Sequence, residues 1–153
     1  MSKMTDYGTL VLAELAATTG DVLSASDISQ STRLGLPSVR KLLKMLCKAG
    51  IVVSFRGASG GYALARSPHN ISAADILEAL EGPLLLTACS ASDSQCELEQ
   101  VCGVGKGWKR VNQMIRRTLN DVSLAQLCDA ETIPSDVPRS DDLTVHGASR
   151  STI

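Results

Sequence analysis

The chain has 153 residues, a formal net charge of −1 and 44% hydrophobic residues. That is enough for one buried core plus appendages, and with only 3% aromatics the core must be aliphatic. No apolar run approaches the length that spans a bilayer, and the start, MSKMTDYGTL, lacks the apolar region of a signal peptide, so a soluble, cytoplasmic protein with no membrane partner is expected.

The balanced charge hides a division. Residues 1–70 carry eight Lys/Arg against four acids, and the remainder carries seven against twelve. From Ile28 to Ala74 there is no acid, and seven of the eight N-terminal basic residues lie there. Such a segment suits a polyanion, or is simply a solvated basic face.

In chain order, 5–18 reads as a helix capped by Thr5 or Asp6, with Tyr7, Leu10, Val11 and Leu15 on one stripe and Gly20 at its end. Ser24 and Asp27 stand at capping-box spacing before a short helix. A turn containing Gly35 follows, and Pro37 opens a third helix, 37–48. Its Val39, Leu42, Leu43 and Leu46 form a core stripe, and Arg40, Lys41, Lys44 and Lys48 fall on the other side. Two short helices around a tight turn make a helix-turn-helix pattern. IVVSF (51–55) and YALAR (62–66) alternate around RGASGG. Ile51, Val53 and Phe55 are placed on one face and Val52 and Ser54 on the other, with Arg56 at the hairpin tip. A hairpin directly after a helix-turn-helix is the order of a winged helix.

Ser72 and Asp75 cap a further helix with Ile76, Leu77 and Leu80 as its stripe, stopped by Gly82-Pro83. After the cysteine loop, 106–122 is a long amphipathic helix. Trp108, Val111, Ile115, Leu119 and Val122 lie close to coiled-coil spacing, which favours pairing with a second copy over packing on the chain's own core. SLAQL (123–127) is a last short helix, and a polar tail is expected to be disordered. The fold class is therefore mostly α: a winged helix-turn-helix with a two-stranded β wing, plus a long dimerisation helix. The expected divisions are 1–82 for the winged helix, 83–105 for the cysteine loop, 106–131 for the dimerisation helix region and 132–153 for the tail.

The acid-free basic segment on this framework favours double-stranded DNA as partner. Ser38, Arg40 and Lys41 would meet base edges in the major groove, and Lys44 and Lys48 would neutralise phosphates. Arg56 would enter a narrow minor groove. A homodimer would read two half-sites. No catalytic constellation is present, so an enzyme is not expected.

Cys89, Cys96 and Cys102 are spaced C-x6-C-x5-C in a polar stretch. A reducing compartment disfavours a disulfide. Structural zinc usually has closer pairs, and an iron–sulfur cluster accepts wider spacing of soft thiolates, so spacing favours the cluster without excluding zinc. Cys47 lies beside the apolar stripe of the third helix and reads as core; nothing marks Cys128 as a ligand.

The order winged helix, capped helix, three-cysteine loop, long amphipathic helix resembles the Rrf-type (IscR/NsrR-like) family of bacterial transcription regulators, over roughly residues 1–130. LCKAGIVVSFRGASGGYALAR (46–66) and the cysteine loop before the Trp108 helix carry the resemblance, and the pattern resembles most the branch regulating the SUF iron–sulfur assembly system. It implies a [2Fe–2S] or [4Fe–4S] cluster on Cys89, Cys96 and Cys102 and a repressor or activator that reports cluster status. Ser54, Arg56 and Gly57 match the wing, and Ser38, Arg40 and Lys41 the recognition helix. IscR-like members have a shorter first gap and a fourth-ligand His where this chain has Gly105. TDY (5–7) resembles nitric-oxide-sensing members, whose Asp reaches the partner subunit's cluster; Asp6 holds that place, or merely caps its helix. A thiol-oxidation sensor without a cluster and an iron–sulfur redox or carrier protein are the alternatives.

Overall fold

The computed structural model describes residues 2–18, 20–84 and 104–129. The cysteines of the loop and the expected tail lie outside the described residues. The elements in order are α1 (Lys3–Ala17), α2 (Ala25–Thr32), α3 (Leu36–Lys48), β1 (Val52–Phe55) and β2 (Gly61–Leu64). A 3-10 turn (Pro68–Asn70), α4 (Ala73–Glu81), α5 (Gly105–Asp121) and α6 (Leu124–Cys128) follow. The mostly α winged helix-turn-helix expected from the sequence is the architecture found.

Local chemistry explains most boundaries. Ser24 and Asp27 form both arms of a capping box on α2, as Ser72 and Asp75 do on α4. Ser123 and Gln126 make a third on α6, which the sequence reading did not register. At the end of α3, Gly50 takes φ +71. Its N–H reaches the Cys47 carbonyl at 3.0 Å and the Ile51 N–H reaches Leu46 at 3.0 Å, a Schellman closure that turns the chain straight into the wing.

α1 corrects two expectations. Its cap is Ser2, whose hydroxyl accepts from the Met4 N–H, so neither Thr5 nor Asp6 caps it. Its buried face is Thr5, Gly8, Val11, Leu12 and Leu15, while Tyr7 and Leu10 are exposed. The reason is α4: Gly8 has no side chain, so Leu80 packs against it and draws that face inward.

The core is aliphatic, as expected. Val11, Leu12, Leu15, Ile28, Val39, Leu42, Leu43, Leu46, Ile51 and Val52 join Ile71, Ile76, Leu80 and Leu124. Each such side chain contributes about 1.5–3 kcal/mol on burial. The wing pairs antiparallel, Val52 with Leu64 and Phe55 with Gly61. Of the two faces, Val52 and the preceding Ile51 are enclosed, and Val53 and Phe55 face outward. Leu23 adds an isolated bridge to β2, exchanging two backbone hydrogen bonds with Tyr62 at 3.0 and 2.8 Å.

The C-terminal helices are tied to this unit. Ala73 N–H donates to Val122 and Leu124 N–H to Ile71, at 2.8 and 2.7 Å, and Leu124 is fully buried. Arg116 pairs with Glu78 at 2.7 Å, fixing α5 on α4. In the same last turn of α4, the Ser2 and Thr5 hydroxyls both donate to one Glu81 oxygen. Those bonds, Ser2 first and then Thr5, hold the Glu81 carboxyl below its ordinary 4.5. A carboxyl depressed in the folded state stabilises above its unfolded pKa and loses that effect as pH falls through the folded value. Glu81→Gln is therefore expected to lower the thermal midpoint at neutral pH, with the gap from wild type closing in acid. A gap constant across pH, read by circular dichroism, would contradict a charge-assisted clasp.

Candidate nucleic-acid interface and cysteine loop

α3 opens at Gly35 without a side-chain cap, with Pro37 in its first turn, where a missing N–H costs nothing. Val39, Leu42, Leu43 and Leu46 are buried and carry the helix on the core. Ser38, Arg40, Lys41, Lys44 and Lys48 are all exposed on the remaining surface. The helix therefore presents a serine and four cations from a rigid base. Burial on one side fixes the other side's orientation, which is what reading a groove demands.

The wing supplies a second exposed element. Ser54, Arg56 and Gly57 are exposed, Gly57 has φ +110, and the Gly60 N–H bonds the Gly57 carbonyl at 3.0 Å. Arg66 is removed from this set: its guanidinium is bound to Asp75 at 2.8 Å, at the cap of α4. The segment without acids thus ends in a cation neutralised by the next acid along the chain.

Asp6 is exposed on α1 and borders an apolar groove of about 530 Å³ whose walls include Leu10, Ile76, Leu77 and Leu119. α5 has no buried residue; Trp108, Val111 and Ile115 are 41–45% exposed, and Leu119 and Val122 are partly covered. Cys47 is half-buried against the core, as its place beside the α3 stripe suggested, and burial pushes its thiol up. Burial also pushes up the thiol of Cys128, at the end of α6. Reactive thiols have the opposite shift. Among the described residues no three metal-ligating side chains converge. Cys89, Cys96 and Cys102 lie outside them. The chemistry of that donor set, three thiolates in one loop, fits a soft metal centre short of one ligand.

Sequence reasoning missed Ser2, Glu81 and Leu124. Ser2 precedes a helix and was a readable cap. The others depend on partners distant in sequence.

A helix-turn-helix with a basic exposed second helix and a hairpin wing defines a winged-helix DNA-binding protein. Residues 1–130 match the family model described as Rrf2, iron-dependent transcriptional regulator. The chain is 32% identical over 132 residues to protein rrf2 of Nitratidesulfovibrio vulgaris, covering 85% of this chain and 88% of that one. Among solved structures it is similar to CymR, the global cysteine regulator of B. subtilis, with a TM-score of 0.64 and 30% identity over 85% of this chain and 96% of that chain. IscR of T. potens gives a TM-score of 0.62 and 30% identity, covering 86% and 87%. The chain belongs to the Rrf2 family of DNA-binding transcription regulators, and is not an enzyme. No helix among the described residues is long and apolar enough to cross a membrane.

Proposed function

We propose that this regulator reads DNA with α3 and the wing as a homodimer, and that its cysteine loop holds an iron–sulfur cluster whose status sets promoter occupancy. The observation that carries the DNA reading is the division of α3, with its apolar side chains buried and Ser38, Arg40, Lys41, Lys44 and Lys48 exposed. Ser38, Arg40 and Lys41 meet base edges near the start of the helix. Lys44 and Lys48 hold phosphates, and Ser54, Arg56 and Gly57 place the wing in the minor groove. Arg40→Ala is expected to cost about 1–3 kcal/mol at one base position and relax selectivity there. Selection of bound duplexes from a random pool checks this; an unchanged preference would remove Arg40 from the recognition surface.

Cys89, Cys96 and Cys102 provide three thiolates, and Asp6 from the partner subunit is the fourth ligand in this reading. A bound [2Fe–2S] or [4Fe–4S] cluster supplies a centre whose presence or redox state can change. The chain supplies the lever. The loop leaves α4 just after Glu81, which is bound to Ser2 and Thr5, and returns into α5, which is bound to α4 through Arg116 and Glu78. Reordering the loop therefore acts on both helices at once, and through α5 on the separation of two winged helices. The sequence pattern supports a place in the SUF branch, as a repressor of iron–sulfur assembly genes. Similarity to CymR, described as a cysteine regulator, supports a second reading in which the same thiols respond by oxidation without a cluster.

A further inference from the structure

Between α2 and α3 the backbone turns left at one residue, Arg33, with φ 57 and ψ 22. Among the described residues it is the only non-glycine at positive φ; Gly20, Gly50, Gly57 and Gly82 occupy the other such positions. Glycine adopts this conformation without the clash between Cβ and the carbonyl that any L side chain suffers. Gly35, the glycine in this turn, has φ −60 and needs no such freedom.

The turn does not need the Arg33 side chain. The Ser29 hydroxyl donates to the Leu34 carbonyl at 2.6 Å. The Thr32 hydroxyl donates to Ile28 at 2.5 Å and accepts from the Leu34 N–H at 3.4 Å. Leu34 packs against the core. Arg33 is exposed, and its guanidinium makes no hydrogen bond or ion pair among the described residues. The fold thus bears an unfavourable backbone conformation at a residue whose side chain gives nothing back to it. Strain kept without a structural return is a signature of function.

Its position names the function. Arg33 lies in the acid-free segment, three residues before α3 begins at Leu36. In a helix-turn-helix the first helix crosses the sugar–phosphate backbone and the second enters the groove. The turn between them therefore runs beside the strand that flanks Ser38, Arg40 and Lys41. A guanidinium there matches a phosphate in charge and in its forked geometry. We propose that Arg33 is a phosphate-contacting residue of the DNA interface, held in a left-handed turn that glycine would adopt more readily. This rests on α3 being the DNA-reading helix.

The test uses the full chain with Arg33→Gly, Arg33→Lys and Arg40→Ala. Each is titrated with a short mixed-sequence duplex across a series of salt concentrations, alongside thermal unfolding. Arg33→Gly is expected to unfold at or above the wild-type midpoint. Its affinity is expected to fall roughly threefold to tenfold, and its salt slope by about one per protomer. Arg33→Lys is expected to keep the slope. An unchanged slope in Arg33→Gly, a lysine variant as weak as the glycine one, or a lowered midpoint in Arg33→Gly would each overturn the proposal. If Arg33→Gly alone is silent while Arg40→Ala weakens binding, only the Arg33 assignment fails. If neither weakens binding, the assignment of α3 fails with it.

Discussion

Gly61→Val is expected to destabilise the protein by about 1–3 kcal/mol and to disable the wing. A Cβ at residue 61 would lie 2.5 Å from the Leu23 carbonyl oxygen and 2.7 Å from its carbon. Both are backbone atoms, so no rotamer change can make room. The two hydrogen bonds between Leu23 and Tyr62 hold β2 on the segment between α1 and α2. Forcing them apart adds their loss, about 0.5–1.5 kcal/mol each, to the steric cost. Helices α1 to α3 also pack on one another through the buried core, so helicity should survive while the midpoint drops by several degrees. Arg56 then loses its fixed distance from α3, and DNA affinity should fall with stability. A midpoint equal to wild type would show that Leu23 does not anchor the wing.

The second large effect concerns α5. This 17-residue helix has no buried residue, and it exposes the chain's one tryptophan together with Val111, Met114 and Ile115. Such a stripe is costly in water and is characteristic of an unpaired interface. In the proposed homodimer, Trp108→Asp combined with Ile115→Asp is expected to convert the dimer to a monomer in sedimentation. The fold of each chain should persist, because the far end of α5 is held by Arg116, Val122 and the buried Leu124. Affinity for a two-half-site operator should fall by about 100-fold or more, since the second half-site is no longer bound at high effective concentration. A variant that stays dimeric would move the interface elsewhere.

What could be read from the sequence was local. The boxes at Ser24/Asp27 and Ser72/Asp75 are complete within four residues, so their geometry follows from residue type alone. The α3 stripe is likewise a property of one helix. The wing was different: IVVSF is apolar on both faces, and the buried face is chosen by Leu23 and the register with β2. Tyr7 and Leu10 were assigned inward for a similar reason, because only the approach of α4 over Gly8 decides which side of α1 is covered. Leu124 was read only as part of a last short helix after the dimerisation helix, and it closes the core through a bridge between residues 72 and 123. At the site, the basic face was legible from periodicity. The left-handed Arg33 was not, since nothing in RLGLP says which residue takes the positive φ. The cysteine spacing names a class of donor, and the fourth ligand of the proposed cluster is not written in that spacing.

The most direct measurement is DNA affinity of anaerobically purified protein, before and after cluster removal, with iron, sulfide and visible absorbance determined on the same sample. The expected result is a coloured protein containing iron and acid-labile sulfide, whose operator affinity changes by about 5- to 150-fold on removal, the range of ordinary allosteric coupling. Asp6→Ala should release its iron faster under the same conditions. A colourless, iron-free protein whose operator affinity is unaffected by iron–sulfur reconstitution would contradict the account and leave the cysteines as thiol sensors or zinc ligands.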